Sequence, residues 1–440
     1  MSTTPSYRIT DELGTVLGSV TFDRDAVLRA LNAAPAPEPP PGYTLHAGDD
    51  PAVALADLSA GDTLWLASGA HPYPIHLPKA INVRALPVAA PVVSGWKLLS
   101  WEWVGRDAAG DTYRTVYDRN RWGLNHRISN NAAFPAARQA VHNEAAKPEY
   151  VSRIGGPVPV KYDEKGGYLY ATVPAGYNVE TLTIAAYPQL LTAADGVNGV
   201  TIEGITFSGA SNTTKQGAVQ VYGEGWVLDR VTVEFVNSVG IMVGGIGHRF
   251  IDTWADDCGQ MGWAGKIDGG LFESCGMRRA NWKGFDAGWE AGMKFSYSRG
   301  NVWRNWTAED CDAPGFWLDI SNYDNTLDGF RIVNSMKAGA MLEHYASGNA
   351  YRNGTIYGTR AWPVTGACAG LQVQGNCNGN EFDGITIDST EAGAGVVYKA
   401  KENRGPSSKN RFANITADRA WRIEGALSGD DTFINCDPMP

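Results

Sequence analysis

From about residue 196 the hydrophobic and polar positions of the chain repeat. Seven segments each begin at one glycine: Gly240-Ile-Met-Val-Gly, Gly262-Trp-Ala-Gly-Lys, Gly292-Met-Lys-Phe-Ser, Gly315-Phe-Trp-Leu-Asp, Gly339-Ala-Met-Leu-Glu, Gly370-Leu-Gln-Val-Gln and Gly395-Val-Val-Tyr-Lys. The glycines lie 22, 30, 23, 24, 31 and 25 residues apart. Positions one and three after the glycine are almost all apolar, as in Met293/Phe295 and Phe316/Leu318, and position four is mostly polar. That alternation describes a short strand with one inward and one outward face. Further short strands are predicted between them, at Val227–Val233, Phe250–Trp254, Val302–Trp306, Thr326–Ile332 and Phe382–Ile387. Two or three strands per repeat of this length predict a parallel β-helix, in which each coil stacks on the last. A β-propeller blade needs a longer repeat of roughly 40–45 residues.

The rest of the chain has other textures. Residues 1–42 read as a small module closed by a proline-rich linker. YRITDE and TVLGSVTF are its two predicted strands, and DAVLRALNAA is a predicted helix. Residues 43–100 read as the first β-helix coils, and 191–440 as the main β-helix. Between them, 101–190 has the period-two alternation and Gly-rich turns of antiparallel hairpins, which predicts an inserted β-sandwich-like region. The fold class expected is therefore all-β, a pectate-lyase-like right-handed parallel β-helix.

Composition narrows the function classes. The 52 glycines and 15 tryptophans suit many tight turns between short strands. With 37 basic and 47 acidic residues the net charge is −10, so neither nucleic acid nor an anionic membrane is an expected partner. No apolar run approaches the roughly 18–20 residues of a membrane helix. No secretion signal is visible at the N-terminus, so a cytoplasmic location or a phage virion is expected. The six cysteines are scattered and form no CxxC pair, and they read as buried thiols. Cys258 and Cys311 both fall four residues before their glycine, where Val236 also sits, which fits an inward stack.

Candidate chemistry comes from the outward column. Its fourth position reads Gly244, Lys266, Ser296, Asp319, Glu343, Gln374, Lys399. Adjacent coils are about 4.7–4.9 Å apart, so Asp319 and Glu343 are predicted neighbours on one outer face. About 5–5.5 Å between carboxyl groups suits a retaining glycosidase, in which one attacks and the other protonates the leaving group. Trp317, at the second position, is expected to face outward beside Asp319 as a stacking platform for a sugar ring.

The run from about Gly276 to Asn353 contains NWKGFDAGWEAGMK, GFWLDISNYDNT and GAMLEHYASGNAYRN. It resembles right-handed parallel β-helix glycoside hydrolases of the β-xylosidase type known as family 120. The resemblance implies Asp319 as nucleophile, Glu343 as acid/base and Glu290 in the substrate pocket. It also implies a β-sandwich inserted early in the β-helix. Leu318 and His344-Tyr345-Ala346 depart from the family pattern. On this reading Lys294 and Glu290 hold sugar hydroxyls, Trp317 and Trp289 stack on the sugar, and His344 borders the pocket. No metal or other cofactor is called for, and the expected partner is an oligo- or polysaccharide.

Two rival readings stand beside it. A polysaccharide lyase would use Asp256, Asp257, Asp310 and Asp312 for calcium and Arg278, Arg279 and Lys283 against an acidic sugar. A phage tail spike would use the β-helix as a glycan-binding or depolymerising shaft, expected as a homotrimer.

Overall fold

The computed structural model describes residues 6–10, 16–21, 42–116, 160–163, 166–173, 175–176, 183–282, 284–285, 291–362, 366, 368–388, 390–391, 393–399, 405–424 and 429–438. The chain divides into two compact units, residues 1–41 and 42–440. In the first, Ser6–Thr10 pairs antiparallel with Val16–Thr21, Ser6 opposite Thr21. The helix expected at DAVLRALNAA lies outside the described residues.

In the second unit the repeat is a stack of parallel coils. One ladder of eleven strands runs from Ile75–Leu77 to Arg422–Glu424 and contains every glycine-led segment. The remaining coil strands join into a second sheet of twenty-one. A typical coil runs Trp263–Asp268, Leu271–Glu273, Gly276–Arg278, and the next begins at Met293–Ser296. The register matches the alignment of the repeats. Trp263 pairs with Met293, Phe295 with Leu318, Leu342 with Val373 and Val373 with Tyr398.

The repeating glycine has a spatial cause. A Cβ on Gly315, Gly339 or Gly370 would lie 2.6, 2.3 or 2.2 Å from the Cγ2 of Ile332, Ile356 or Ile387. Each of these glycines enters its strand pressed against an inward isoleucine of the facing sheet, where a methyl group has no room.

Inward side chains stack in register from coil to coil. Phe250, Phe272 and Trp303 follow one another with ring centroids 4.7 and 4.9 Å apart, near parallel. Phe382, Phe412 and Phe433 repeat the arrangement at 4.9 and 5.3 Å. Each such pair adds about 0.5–1.5 kcal/mol beyond its buried area. One corner is held by a buried asparagine column, Asn301, Asn325, Asn349, Asn380 and Asn410, in which each Nδ2 donates to the next Oδ1 at 2.8–3.0 Å. All six cysteines are buried and free.

One feature differs from the sequence expectation. Pro51–Asp57 is an α-helix, where only strands and turns were expected. Asp50 caps it by accepting from the Ala52 N–H, and Pro51 opens it. Its Ala54 and Leu55 are buried in the coil core, against the first strands of both sheets. The inserted region, among the described residues, is a single four-stranded antiparallel sheet. It is ordered Glu102–Asp107, Gly110–Val116, Tyr168–Val173, Val160–Asp163. The chain leaves the coils at Trp96–Leu98 and returns at Thr183–Ala185, and these two strands pair antiparallel.

Candidate functional site

The candidate site lies on the outer face of the eleven-stranded ladder. Its strands end at Ser296, Asp319, Glu343 and Gln374, one coil after another. Ser296 pairs with Asp319, and Glu343 with Gln374. After the strand ends the backbone turns through left-handed residues: Ile320 and Ser321 (φ 44° and 54°), then His344 and Tyr345 (φ 55° and 64°). For an L-residue this conformation costs roughly 1–2 kcal/mol, and such strain gathers at functional sites. It is held by interlocking hydrogen bonds. The Ser321 N–H donates to the His344 carbonyl at 2.7 Å, and the His344 N–H to the Gln374 carbonyl at 3.1 Å. The Asn322 amide anchors the same corner by donating to the carbonyls of Phe295, at 3.0 Å, and Asp319.

The corner brings four ionisable side chains together. Asp319 Oδ2 lies 2.8 Å from the Lys294 ammonium. Asp319 Oδ1 lies 2.8 Å from His344 Nδ1. His344 Nε2 lies 2.9 Å from Glu343 Oε1, off the line of a hydrogen bond, and has no hydrogen-bond partner. On its other side Glu343 Oε1 accepts from Gln374 Nε2 at 2.6 Å, and Gln374 Oε1 accepts from Gln372 Nε2 at 2.9 Å. All of these groups are largely buried. Side-chain exposure is 3% for Glu343 and 7% for Asp319, against 11% for His344 and 13% for Lys294. Solvent therefore reaches the pair past Lys294 and His344. Beneath them the Cys377 thiol is pushed up to about 12, chiefly by burial, with the charges of Glu343 and Asp319 adding to it. Nearby, burial and then the charge of Lys294 lower the pKa of Lys215.

Asp319, Glu343 and His344 offer ligand atoms within 4.8 Å of one another, the one such group among the described residues. Their arrangement as found is ionic and hydrogen-bonded. Both oxygens of Asp319 are already taken, one by an ammonium. A divalent cation would have to displace that charge.

Trp317 leaves the coil core, as the alternation requires, but it is not an exposed platform. It is 2% exposed and packs in a second apolar cluster with Met261, Ala264, Ala338 and Met341. The Lys294 ammonium sits over its ring at 3.6 Å. The physical reason is that this sheet is covered on its outer face as well as its inner one. The second position, Met242, Ala264, Lys294, Trp317, Met341, is apolar except at Lys294, and that was the signal for it. Trp289 and Glu290, like Lys283, lie outside the described residues.

The described residues of the lyase reading are engaged in ion pairs and hydrogen bonds within the protein. Arg279 holds Asp257 at 2.7 Å, Arg278 holds Asp256 at 3.4 Å and Glu309 at 3.2 Å, and Arg360 holds Asp312 at 3.0 Å. Asp310 accepts from Asn334. Missed in the sequence were His344 as a bridge between the two acids and Gln374 as a donor to Glu343.

Residues 217–387 match a family model described as a right-handed β-helix region. No curated protein sequence matches the chain. Among solved structures, the complex of XylC with xylose is similar with a TM-score of 0.54 and 11% identity, over 87% of this chain and 82% of that one. An alginate lyase, AlyF-OU02, is similar with a TM-score of 0.49 and 12% identity, over 89% and 84% of the two chains. Tailspike protein 2 of bacteriophage CBA120 gives 0.35 and 11%, over 78% of this chain and 43% of that one. No helix among the described residues is long and apolar enough to cross a membrane. At such identities the likeness is one of fold: the chain is a right-handed parallel β-helix.

Proposed function

We propose that this protein hydrolyses a glycosidic bond of an oligo- or polysaccharide with retention of configuration, Asp319 acting as nucleophile and Glu343 as acid/base. The observation that carries the reading is the acid pair itself. Two carboxylates from adjacent coils have oxygens within 4.8 Å of each other on the outward face. The spacing that lets one carboxylate attack while the other protonates the leaving group is about 5–5.5 Å between carboxyl groups.

The steps follow from the contacts. Asp319, held beside the Lys294 ammonium, attacks the anomeric carbon. The bond to the leaving oxygen breaks, and that oxygen takes the proton of Glu343. A water then gives a proton to Glu343 and its oxygen to the anomeric carbon, and Asp319 leaves as a carboxylate. Lys294, the most exposed member of the group, faces the entering sugar.

The test is a panel of aryl glycosides, β-xylosides first, with the configuration of the first-formed sugar read by proton NMR. Retention is expected, and Asp319→Asn and Glu343→Gln should each lower turnover by about 10²–10⁴-fold. An inverted product, or full activity in Asp319→Asn, removes the reading.

A further inference from the structure

Among the described residues, His344 is the ionisable group in contact with both acids. Its position is imposed by the backbone: φ is 55°, and its N–H and carbonyl are both tied to neighbouring coils. The ring therefore has a fixed place, and each nitrogen a fixed neighbour.

The first neighbour determines the tautomer. Asp319 Oδ2 lies 2.8 Å from the Lys294 ammonium, and a carboxylate that pairs with an ammonium serves as an acceptor. A ring nitrogen 2.8 Å from Asp319 Oδ1 must donate, so the hydrogen sits on Nδ1. In a neutral imidazole Nε2 is then an acceptor. That acceptor is buried, without a hydrogen-bond partner, and 2.9 Å from Glu343 Oε1. A modest turn of the Glu343 carboxyl would bring a proton on that oxygen into line with it.

We propose that His344 is a positioning residue that sets the proton inventory of the acid pair. Nδ1–H keeps Asp319 in its ionised form, and the vacant Nε2 favours the proton on Glu343. The imidazole makes two acids at one site unlike: one a nucleophile, the other an acid. This inference rests on the hydrolase reading, since it assigns His344 a part in that reaction. It also makes a claim about the resting protein that can be read without activity.

The experiment has two arms. In the first, wild type, His344→Asn and His344→Gln are compared on a phenyl glycoside and a 2,4-dinitrophenyl glycoside of the same sugar. Asn tolerates a left-handed backbone and carries a donor at the place of Nδ1, but nothing at the place of Nε2. The phenyl leaving group needs a proton and the dinitrophenyl group does not. His344→Asn should lower kcat/KM by about 10²-fold on the phenyl glycoside, and by less than about 3-fold on the dinitrophenyl one. Gln, which reaches the place of Nε2 but not that of Nδ1, should lose on both. Equal losses of His344→Asn on both substrates, or no loss, overturn the assignment.

In the second arm, histidine-selective ¹⁵N labelling of the full chain reads the tautomer at neutral pH, with the His344 signal identified by its absence in His344→Asn. An Nδ1–H signal with an unprotonated Nε2 is expected. An Nε2–H tautomer, or a doubly protonated ring, overturns the proposal even if the hydrolase reading survives. If the wild type cleaves no glycoside while the Nδ1–H tautomer is found, the hydrolase reading fails and the geometry of His344 stands. Loss of cleavage on chelation with EDTA would instead make the group a metal site and overturn both.

Discussion

At the scale of single residues, burial decides reactivity. The thiols of Cys275 and Cys311 are pushed up to about 12, and that of Cys258 well above its usual range, chiefly by burial in the coil core. Only the thiolate reacts with disulfide reagents, and it must also be reachable. At pH 8 the native chain should therefore give less than about one fast thiol with Ellman's reagent, and all six only in denaturant. Several fast thiols in the native chain would contradict the packing. The same burial alters what Trp317 can do. Its ring is covered and carries an ammonium on its face, so it sets the position of Lys294 and thereby supports Asp319. His344 was legible only as the residue after Glu343. Its place between two acids depends on a left-handed turn that no local pattern signals.

At the scale of elements, the coils are held by ladders that run along the stack. The inward aromatic ladder was legible as alternation, because every strand must present an apolar face to the core. The asparagine ladder was not read, although its members recur at the coil spacing, 24, 24, 31 and 30 residues apart. Polar residues at such positions read as turns, and only stacking makes them partners. Asn325 accepts from the Asn301 backbone N–H and Nδ2, and donates to Ser298 O and Asn349 Oδ1. Replacing it with alanine orphans buried groups on two coils, so Asn325→Ala should cost about 3 kcal/mol in urea unfolding. A loss below about 0.5 kcal/mol would mean that water replaces the amide. The helix Pro51–Asp57 went unread because one short apolar run bounded by turn residues suits either a helix or a strand. The cap at Asp50 and proline at the first turn were the available signs.

At the scale of the whole molecule, the β-helix carries its own end cover. The helix Pro51–Asp57 lies within the unit that begins at Gly42 and buries Ala54 and Leu55 against the first strands of both sheets. A chain starting at Gly42 should thus melt within about 2 °C of the full chain, a shift worth less than about 1 kcal/mol. A larger drop in a calorimetric scan would give residues 1–41 a structural task.

The sequence by itself determined the period, the inward face of each coil and the nearness of Asp319 to Glu343 on adjacent coils. All three follow from strand alternation and the repeated glycine. Tertiary structure alone decided the rest. Whether an outward face meets water depends on what packs over it, and here an apolar cluster covers Trp317. Which groups face the acid pair depends on how each coil turns after its strand. A left-handed corner put His344 between the two carboxylates, and a side chain on the coil before Asp319, Lys294, became its counter-charge. Alternation along a strand carries information about the sides of that strand, and none about what folds over them.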